Sequence, residues 1–152
     1  MSVYILDTNI ITAWQKNNEQ VVQRIKEIDP SKIFVTAINV EEQLRGRLDP
    51  IRQLNKIKPD NSQDLQKLVS LYRNLRMTQE FYCKVNILDF DQAACECFQQ
   101  LLQQHKVSNK DQKDLRIAAI ALVNDAILVT QNRKDFIKFL GFQKIEDWTV
   151  NI

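Results

Sequence analysis

The sequence has little of several residue types, and each scarcity argues against a class of protein. One histidine and three cysteines without a CxxC pair argue against a zinc site. Only two glycines and three prolines occur, so the chain lacks the composition of linkers. The longest uncharged apolar run, 117–123, is too short to cross a bilayer, and the N-terminus lacks the pattern of a secretory signal. We therefore expect one cytoplasmic domain over residues 1–152, with reduced cysteines and no membrane contact.

Charge is nearly balanced, but it is unevenly distributed along the chain. A net charge of +2 does not by itself indicate a polyanionic partner. Basic residues nevertheless lie close to acidic ones in three places, at 45–52, 110–116 and 133–138. This interleaving suits a phosphate backbone held beside a metal site, although solvated helix faces also carry such charges.

Short apolar segments alternate with amphipathic helical patterns. The strand patterns fall at residues 3–6, 33–36, 86–90 and 126–130, with an edge strand expected at 148–152. Between them we expect helices around 21–28, from Val40 with Asn39 as its cap, at 94–102 and at 111–124, and a charged helical hairpin at about 50–84. Such alternation predicts an α/β fold with a parallel sheet, whose strands present their carboxyl ends at one edge.

Acidic residues follow or approach these strand ends. Asp7 closes the first strand, and Glu41–Glu42, Asp114 and the 130–135 turn are expected at the same edge. Magnesium and manganese prefer oxygen ligands and are typically held by a few carboxylates together with substrate phosphates. The pattern therefore predicts a divalent metal site that needs no histidine or cysteine.

Each acid also has a purely structural interpretation. Asp7 could cap the helix that follows it, and the adjacent glutamates, of which only one is expected to reach a metal, could complement a helix dipole. Asp111 and Asp114 have the spacing of a capping box. Asp135 could be an ordinary first-turn acid in a helix capped by Asn132.

Four segments, which follow one another in the order found in a known family, carry a resemblance to that family over nearly the whole chain. They are 6–9 (LDTN), 42–46 (EQLRG), 114–119 (DLRIAA) and 129–136 (VTQNRKDF), and the closing 146–148 (EDW) also matches. The chain resembles PIN-domain ribonucleases of the VapC-like toxin branch. This implies a three-layer α/β sandwich with a parallel sheet of about five strands, to which the 50–84 hairpin would be an addition. It also implies a homodimer neutralised by a cognate antitoxin.

The resemblance assigns roles to individual residues. It implies Mg²⁺- or Mn²⁺-dependent hydrolysis of RNA, with single-stranded loops the expected targets. The metal ligands would be Asp7, Glu42, Asp114 and Asp135. Supporting positions would be Thr8, Asn9, Thr130 and Asn132, and the arginines expected near RNA phosphates are Arg45, Arg116 and Arg133. Some family members carry an acid where this chain has Asn132, which leaves the number of bound metals open.

Other functions compete with a toxin nuclease. The same fold could serve a housekeeping or RNA-maturation nuclease, or a noncatalytic module that binds RNA or protein. A haloacid-dehalogenase-type phosphatase would need an acid where Asn9 stands. A receiver domain would need paired acids after the first strand, and this chain lacks them.

Overall fold

Five short strands form one parallel sheet. The computed structural model describes residues 2–57 and 61–150. The strands are β1 (Tyr4–Leu6), β2 (Ile33–Thr36), β3 (Asn86–Leu88), β4 (Ile127–Val129) and β5 (Ile145–Glu146). Their order is β3-β2-β1-β4-β5, and each neighbouring pair is parallel. The expected five-stranded parallel sheet is therefore confirmed, with β1 at its centre.

Helices connect the strands, as the alternating pattern predicted. Within the described residues they are α1 (Thr8–Gln15), α2 (Glu19–Glu27), α3 (Ala37–Lys56), α4 (Ser62–Tyr82), α5 (Gln92–Gln104), α6 (Gln112–Val123) and α7 (Arg133–Leu140). Short 3-10 turns occur at Pro30–Lys32, Asn109–Asp111 and Phe142–Lys144. None of the helices in this part of the chain is long and apolar enough to span a membrane.

The sheet belongs to the first of two compact units, which contains the residues up to Asn39 and those from Asn86 onward. On one face, Ile5 and Leu128 are buried in a core formed with α5, α6 and α7, whose contributors include Ala94, Ile117, Ala118, Ala121 and Phe136. Because strand side chains alternate, Tyr4 points to the other face. There its ring contacts Trp148 at 5.3 Å, and Arg24 of α2 lies 5.4 Å from the Trp148 ring. Helices thus cover both faces, which makes this unit a three-layer sandwich.

The second unit, Val40–Val85, is helical. Tyr82 donates a 2.6 Å hydrogen bond to Gln43 Oε1, and Arg47 Nε donates one of 3.0 Å to Thr78 Oγ1. Since later residues of α3 meet earlier residues of α4, the two helices run antiparallel. Pro50 lies inside α3, so the expected hairpin segment of about 50–84 covers the last turns of α3 and all of α4.

The start of α3 differs from the sequence prediction. The helix begins at Ala37, three residues before the expected Val40, and Asn39 is not its cap. Thr36 Oγ1 instead accepts from the Asn39 N–H at 3.2 Å, while Asn39 Oδ1 accepts from the Thr36 N–H at 2.9 Å. This is the reciprocal arrangement of a capping box, with asparagine in place of the usual glutamate. Thr36, the last residue of β2, therefore caps the start of α3 with its hydroxyl.

The last strand also lies elsewhere than expected. It comprises Ile145–Glu146, and Trp148–Val150 form turns, so an edge strand at 148–152 is wrong for the described part of that segment. Residues 151–152 lie outside the described residues. The Asp147 carboxylate accepts from the Thr149 N–H at 2.9 Å and from its hydroxyl at 2.6 Å. A side chain that satisfies the backbone locally in this way competes with strand pairing.

Candidate active site

The centre of the candidate site is Asp7, at the carboxyl end of the central strand. Its backbone N–H donates to the Val129 carbonyl at 2.8 Å, which places it beside the end of β4. It immediately precedes α1, and the residue is only 5% exposed. Asp7 therefore occupies the crevice at the strand ends where parallel α/β sheets bind ligands.

Both oxygens of the Asp7 carboxylate are held by neighbouring residues. Oδ1 accepts from the Thr8 N–H at 2.9 Å, and Oδ2 accepts from the fully buried Thr130 hydroxyl at 2.9 Å. Asn9 Nδ2 lies 3.4 Å from both Asp7 Oδ2 and Thr130 Oγ1. Asp7 thus fulfils its structural interpretation, as the residue that caps α1, while its carboxylate also joins a polar cluster at the strand ends.

Two further acids influence this cluster. The pKa of Asp114, near the start of α6, is raised to about 6, and burial is the largest cause. The charge of Asp7 is the next largest cause of this rise, Lys113 opposes it, and the charges of Asp135 and Asp111 add smaller contributions. Charge repulsion of this kind acts over short distances, so Asp7 and Asp135 lie near Asp114 in the sheet-containing unit.

Asp135 does lie in the first turn of α7, as its structural interpretation expected, but the caps expected from the side chains of Asp111 and Asn132 are not formed in the part of the chain that the structure describes. Asp111 stands at the cap position of α6, but its side chain makes no capping hydrogen bond among the described residues and accepts from Ser108 Oγ at 2.8 Å. Asn132 likewise occupies the cap position of α7 without a side-chain cap there. Its backbone N–H donates to Thr130 Oγ1 at 3.0 Å. Asn132 therefore supports the Thr130 hydroxyl that holds Asp7.

Glu42 lies on α3 in the helical unit. It is half-buried, whereas the neighbouring Glu41 is exposed and pairs with Arg45 at 3.2 Å. Burial raises the pKa of Tyr82, and the charge of Glu42 raises it further. Glu42 is therefore near Tyr82, while Glu41 is engaged in a surface ion pair of small energetic value.

The three arginines expected near RNA have partners in the protein. Arg45 forms the ion pair with Glu41, and Arg116 lies 5.2 Å from the Phe98 ring. Arg133 lies 4.5 Å from the Phe142 ring, and its Nε is buried without a hydrogen-bond partner in the described part of the chain. Their role in RNA binding stays a prediction.

One site residue was recognised from the sequence only as a helix cap. Asn39 is fully buried, and its Nδ2 donates to Thr8 Oγ1 at 3.0 Å. The only sequence signal for this contact is the position of each residue just after a parallel strand. The contact itself depends on β1 and β2 being neighbours, which the sequence does not state.

The donor chemistry fits magnesium or manganese. The cluster offers carboxylate, hydroxyl and amide oxygens, which these hard cations prefer. Across residues 2–57 and 61–150, no three acidic, histidine or cysteine side chains are arranged around a common point as ligands of one ion. The repulsion that raises the pKa of Asp114 is, however, an interaction that a cation between the acids would relieve.

Comparison with known proteins defines the class. The PIN domain family model matches residues 4–139, and the chain belongs to this family. The resemblance inferred from the four sequence segments is thereby confirmed.

Similar proteins include Ribonuclease VapC1 from Haemophilus influenzae strain R2866. It is 26% identical over 151 residues, which cover 97% of this chain and 98% of the relative. Among solved structures, DNA-bound VapBC from Salmonella typhimurium matches with a TM-score of 0.69 and 23% identity, covering 97% of this chain and 99% of that one. VapBC-1 from nontypeable Haemophilus influenzae matches with a TM-score of 0.69, 24% identity and the same coverages. At these identities the structural matches show a shared fold.

Proposed function

We propose that this protein is a divalent-metal-dependent endoribonuclease and the toxin of a toxin-antitoxin pair. The observation that carries the proposal is the buried Asp7 carboxylate at the carboxyl end of the central strand of a PIN-domain fold, whose charge, with that of Asp135, raises the pKa of Asp114. A relative that covers nearly the whole chain bears the name ribonuclease, which supports RNA as the substrate.

The proposed metal ligands are Asp7, Asp114, Asp135 and Glu42. The first three are supported by the electrostatic proximity described above. Glu42 is supported by the family resemblance, because it lies four residues before Gly46 as the family pattern requires.

The reaction would be hydrolysis of an RNA phosphodiester, in which water adds to phosphorus and the bond to one ribose oxygen breaks. A bound Mg²⁺ or Mn²⁺ would lower the pKa of the attacking water and offset the negative charge of the phosphate. Thr8 and Thr130 keep both oxygens of Asp7 in fixed positions, so little reorganisation of this carboxylate is needed when substrate binds.

The proposed partner is a cognate antitoxin. Two structural relatives are described as VapBC from Salmonella typhimurium bound to DNA and a toxin-antitoxin complex from Klebsiella pneumoniae, at 23% and 20% identity. We expect a homodimer, located in the cytoplasm, that co-purifies with the small protein encoded beside it. Expression without that neighbour should arrest growth, whereas a housekeeping nuclease should be tolerated.

An RNA cleavage assay tests the activity. The purified protein should cut structured RNA with Mg²⁺ or Mn²⁺ present, and EDTA should abolish cleavage. Asp7→Asn should lower the cleavage rate by about a hundredfold or more, since the substituted amide binds a cation far more weakly than a carboxylate does.

Asp125→Asn is a matched control for that experiment. It makes the same chemical change at an exposed carboxylate, and asparagine tolerates the positive φ of 49° at this position. The control should cleave at the wild-type rate. Cleavage by Asp7→Asn at the rate of Asp125→Asn would refute the assignment of the active site.

A further inference from the structure

We infer that Asn39 is a positioning residue for the metal site, which it influences through Thr8 and the Asp7 carboxylate. This inference rests on the proposed metal-dependent function. It assigns a role within the site to a residue whose sequence pattern indicated only a helix cap.

The Asn39 amide is fixed at its oxygen. The side chain is fully buried, and Oδ1 accepts from the Thr36 N–H at 2.9 Å and from the Thr36 hydroxyl at 2.7 Å. Both lone pairs of the amide oxygen are therefore used. An amide held in this way cannot rotate without losing two buried hydrogen bonds, so the direction of its Nδ2 is set by the end of β2.

The nitrogen of the same amide reaches the neighbouring strand end. Asn39 Nδ2 donates to Thr8 Oγ1 at 3.0 Å, and the Thr8 N–H in turn donates to Asp7 Oδ1 at 2.9 Å. Thr36 ends β2, and Thr8 begins the helix that follows β1. Asn39 thus ties the carboxyl ends of two adjacent parallel strands together at the residue next to Asp7.

Hydrogen bonds from two sides consequently fix the positions of the two Asp7 carboxylate oxygens. Oδ2 is held from β4 by the Thr130 hydroxyl at 2.9 Å, and Oδ1 is held by Thr8, which Asn39 fixes from β2. Hydrogen bonds to the groups that hold a metal ligand fix its orientation, and their loss typically lowers metal affinity 10- to 100-fold. A role limited to helix capping would change stability without changing the affinity for a metal.

The test measures Mn²⁺ binding to the metal-free full-length protein by isothermal titration calorimetry, without substrate. Asn39→Ala removes the amide, and Thr8→Val removes the hydroxyl that it contacts while leaving the start of α3 intact. Each should raise the Mn²⁺ dissociation constant about tenfold. Thr8→Ser keeps the hydroxyl and should bind Mn²⁺ like the wild type.

The double variant separates positioning from two independent effects. If Asn39 acts through Thr8, Asn39→Ala combined with Thr8→Val should weaken Mn²⁺ binding about tenfold, as either single change does. A loss near the product of the two single losses would overturn the inference. Unchanged Mn²⁺ affinity in Thr8→Val would also overturn it, even if Asn39→Ala fails to fold.

An Asp7→Asn arm distinguishes this inference from the proposed function. If Asp7→Asn loses Mn²⁺ binding while Asn39→Ala and Thr8→Val bind Mn²⁺ with the wild-type affinity, only the positioning role is wrong. If Asp7→Asn binds Mn²⁺ as tightly as the wild type, the metal site itself is wrongly assigned and the positioning role falls with it. Circular dichroism spectra of each variant establish that the binding data refer to folded protein.

Discussion

Replacing Thr130 with valine should destabilise the protein by removing a hydroxyl at the centre of the site. Thr130 is fully buried after β4. Its hydroxyl donates to Asp7 Oδ2 at 2.9 Å and accepts from the Asn132 N–H at 3.0 Å. Valine has the same shape without the hydroxyl, so the change removes polar interactions and leaves packing nearly intact.

The magnitude follows from those two contacts. A hydrogen bond to a charged group contributes about 1.5–3 kcal/mol, and a buried N–H left without its acceptor costs about 1–3 kcal/mol. The two effects overlap at one oxygen, and the Asn132 N–H is only partly buried. We therefore expect Thr130→Val to lower the free energy of unfolding by about 2–4 kcal/mol. Thr130→Ser keeps the hydroxyl and loses one methyl group, which costs about 1 kcal/mol.

Urea denaturation of the metal-free protein, followed by circular dichroism, measures both variants. The expected result is a clearly lower midpoint for Thr130→Val than for Thr130→Ser, with similar dependence on urea concentration. Equal destabilisation of the two variants would refute the reasoning, because the hydroxyl would then contribute no more to stability than one methyl group.

Three further predictions concern the acids and the helical unit. Asp7→Asn should lower the pKa of Asp114 from about 6 towards its usual value by removing a repelling charge, and an unchanged pKa in an NMR titration would contradict their proximity. Because folding raises the pKa of Asp114, the metal-free protein should lose stability as pH rises from about 4 to 7. Asp114→Asn should remove this loss and raise the free energy of unfolding at neutral pH by about 1–2 kcal/mol, a value reduced by the partial solvent exposure of Asp114. An equal effect of the substitution at pH 4 and pH 7 would contradict this linkage. Tyr82→Phe should cost about 1–2 kcal/mol in urea denaturation by removing the 2.6 Å hydrogen bond to Gln43, and wild-type stability would argue against that bond.

Local sequence patterns were sufficient to predict the first four strands and the position of Asp7. A buried apolar segment that stops at an acid predicts a strand end, and β1 and Asp7 agree with this prediction. The strand at Ile33–Thr36 was predicted with its observed bounds for the same reason. These features depend on residues that are close in sequence.

Features that depend on contacts between distant residues were predicted less well. The role of Asn39 requires β1 and β2 to be neighbours, and no local pattern contains that information. The final strand was misplaced because Trp148–Val150 have strand-like composition, whereas the Asp147 side chain bonds to the Thr149 backbone and favours a turn. Sequence spacing suggested that Asp111 and Asp114 form a capping box, but Asp111 bonds to Ser108 instead.

The central claim is that the carboxylates at the strand ends bind a divalent cation. Mn²⁺ is paramagnetic and broadens the NMR signals of nearby nuclei, so a titration of the metal-free protein locates the site without RNA or turnover. We expect the backbone signals of Asp7, Thr8, Asp114 and Thr130 to broaden first, and Asp7→Asn to suppress the effect. Broadening centred on other acids, such as Asp89–Asp91, with the Asp7 signal unaffected, would contradict the account.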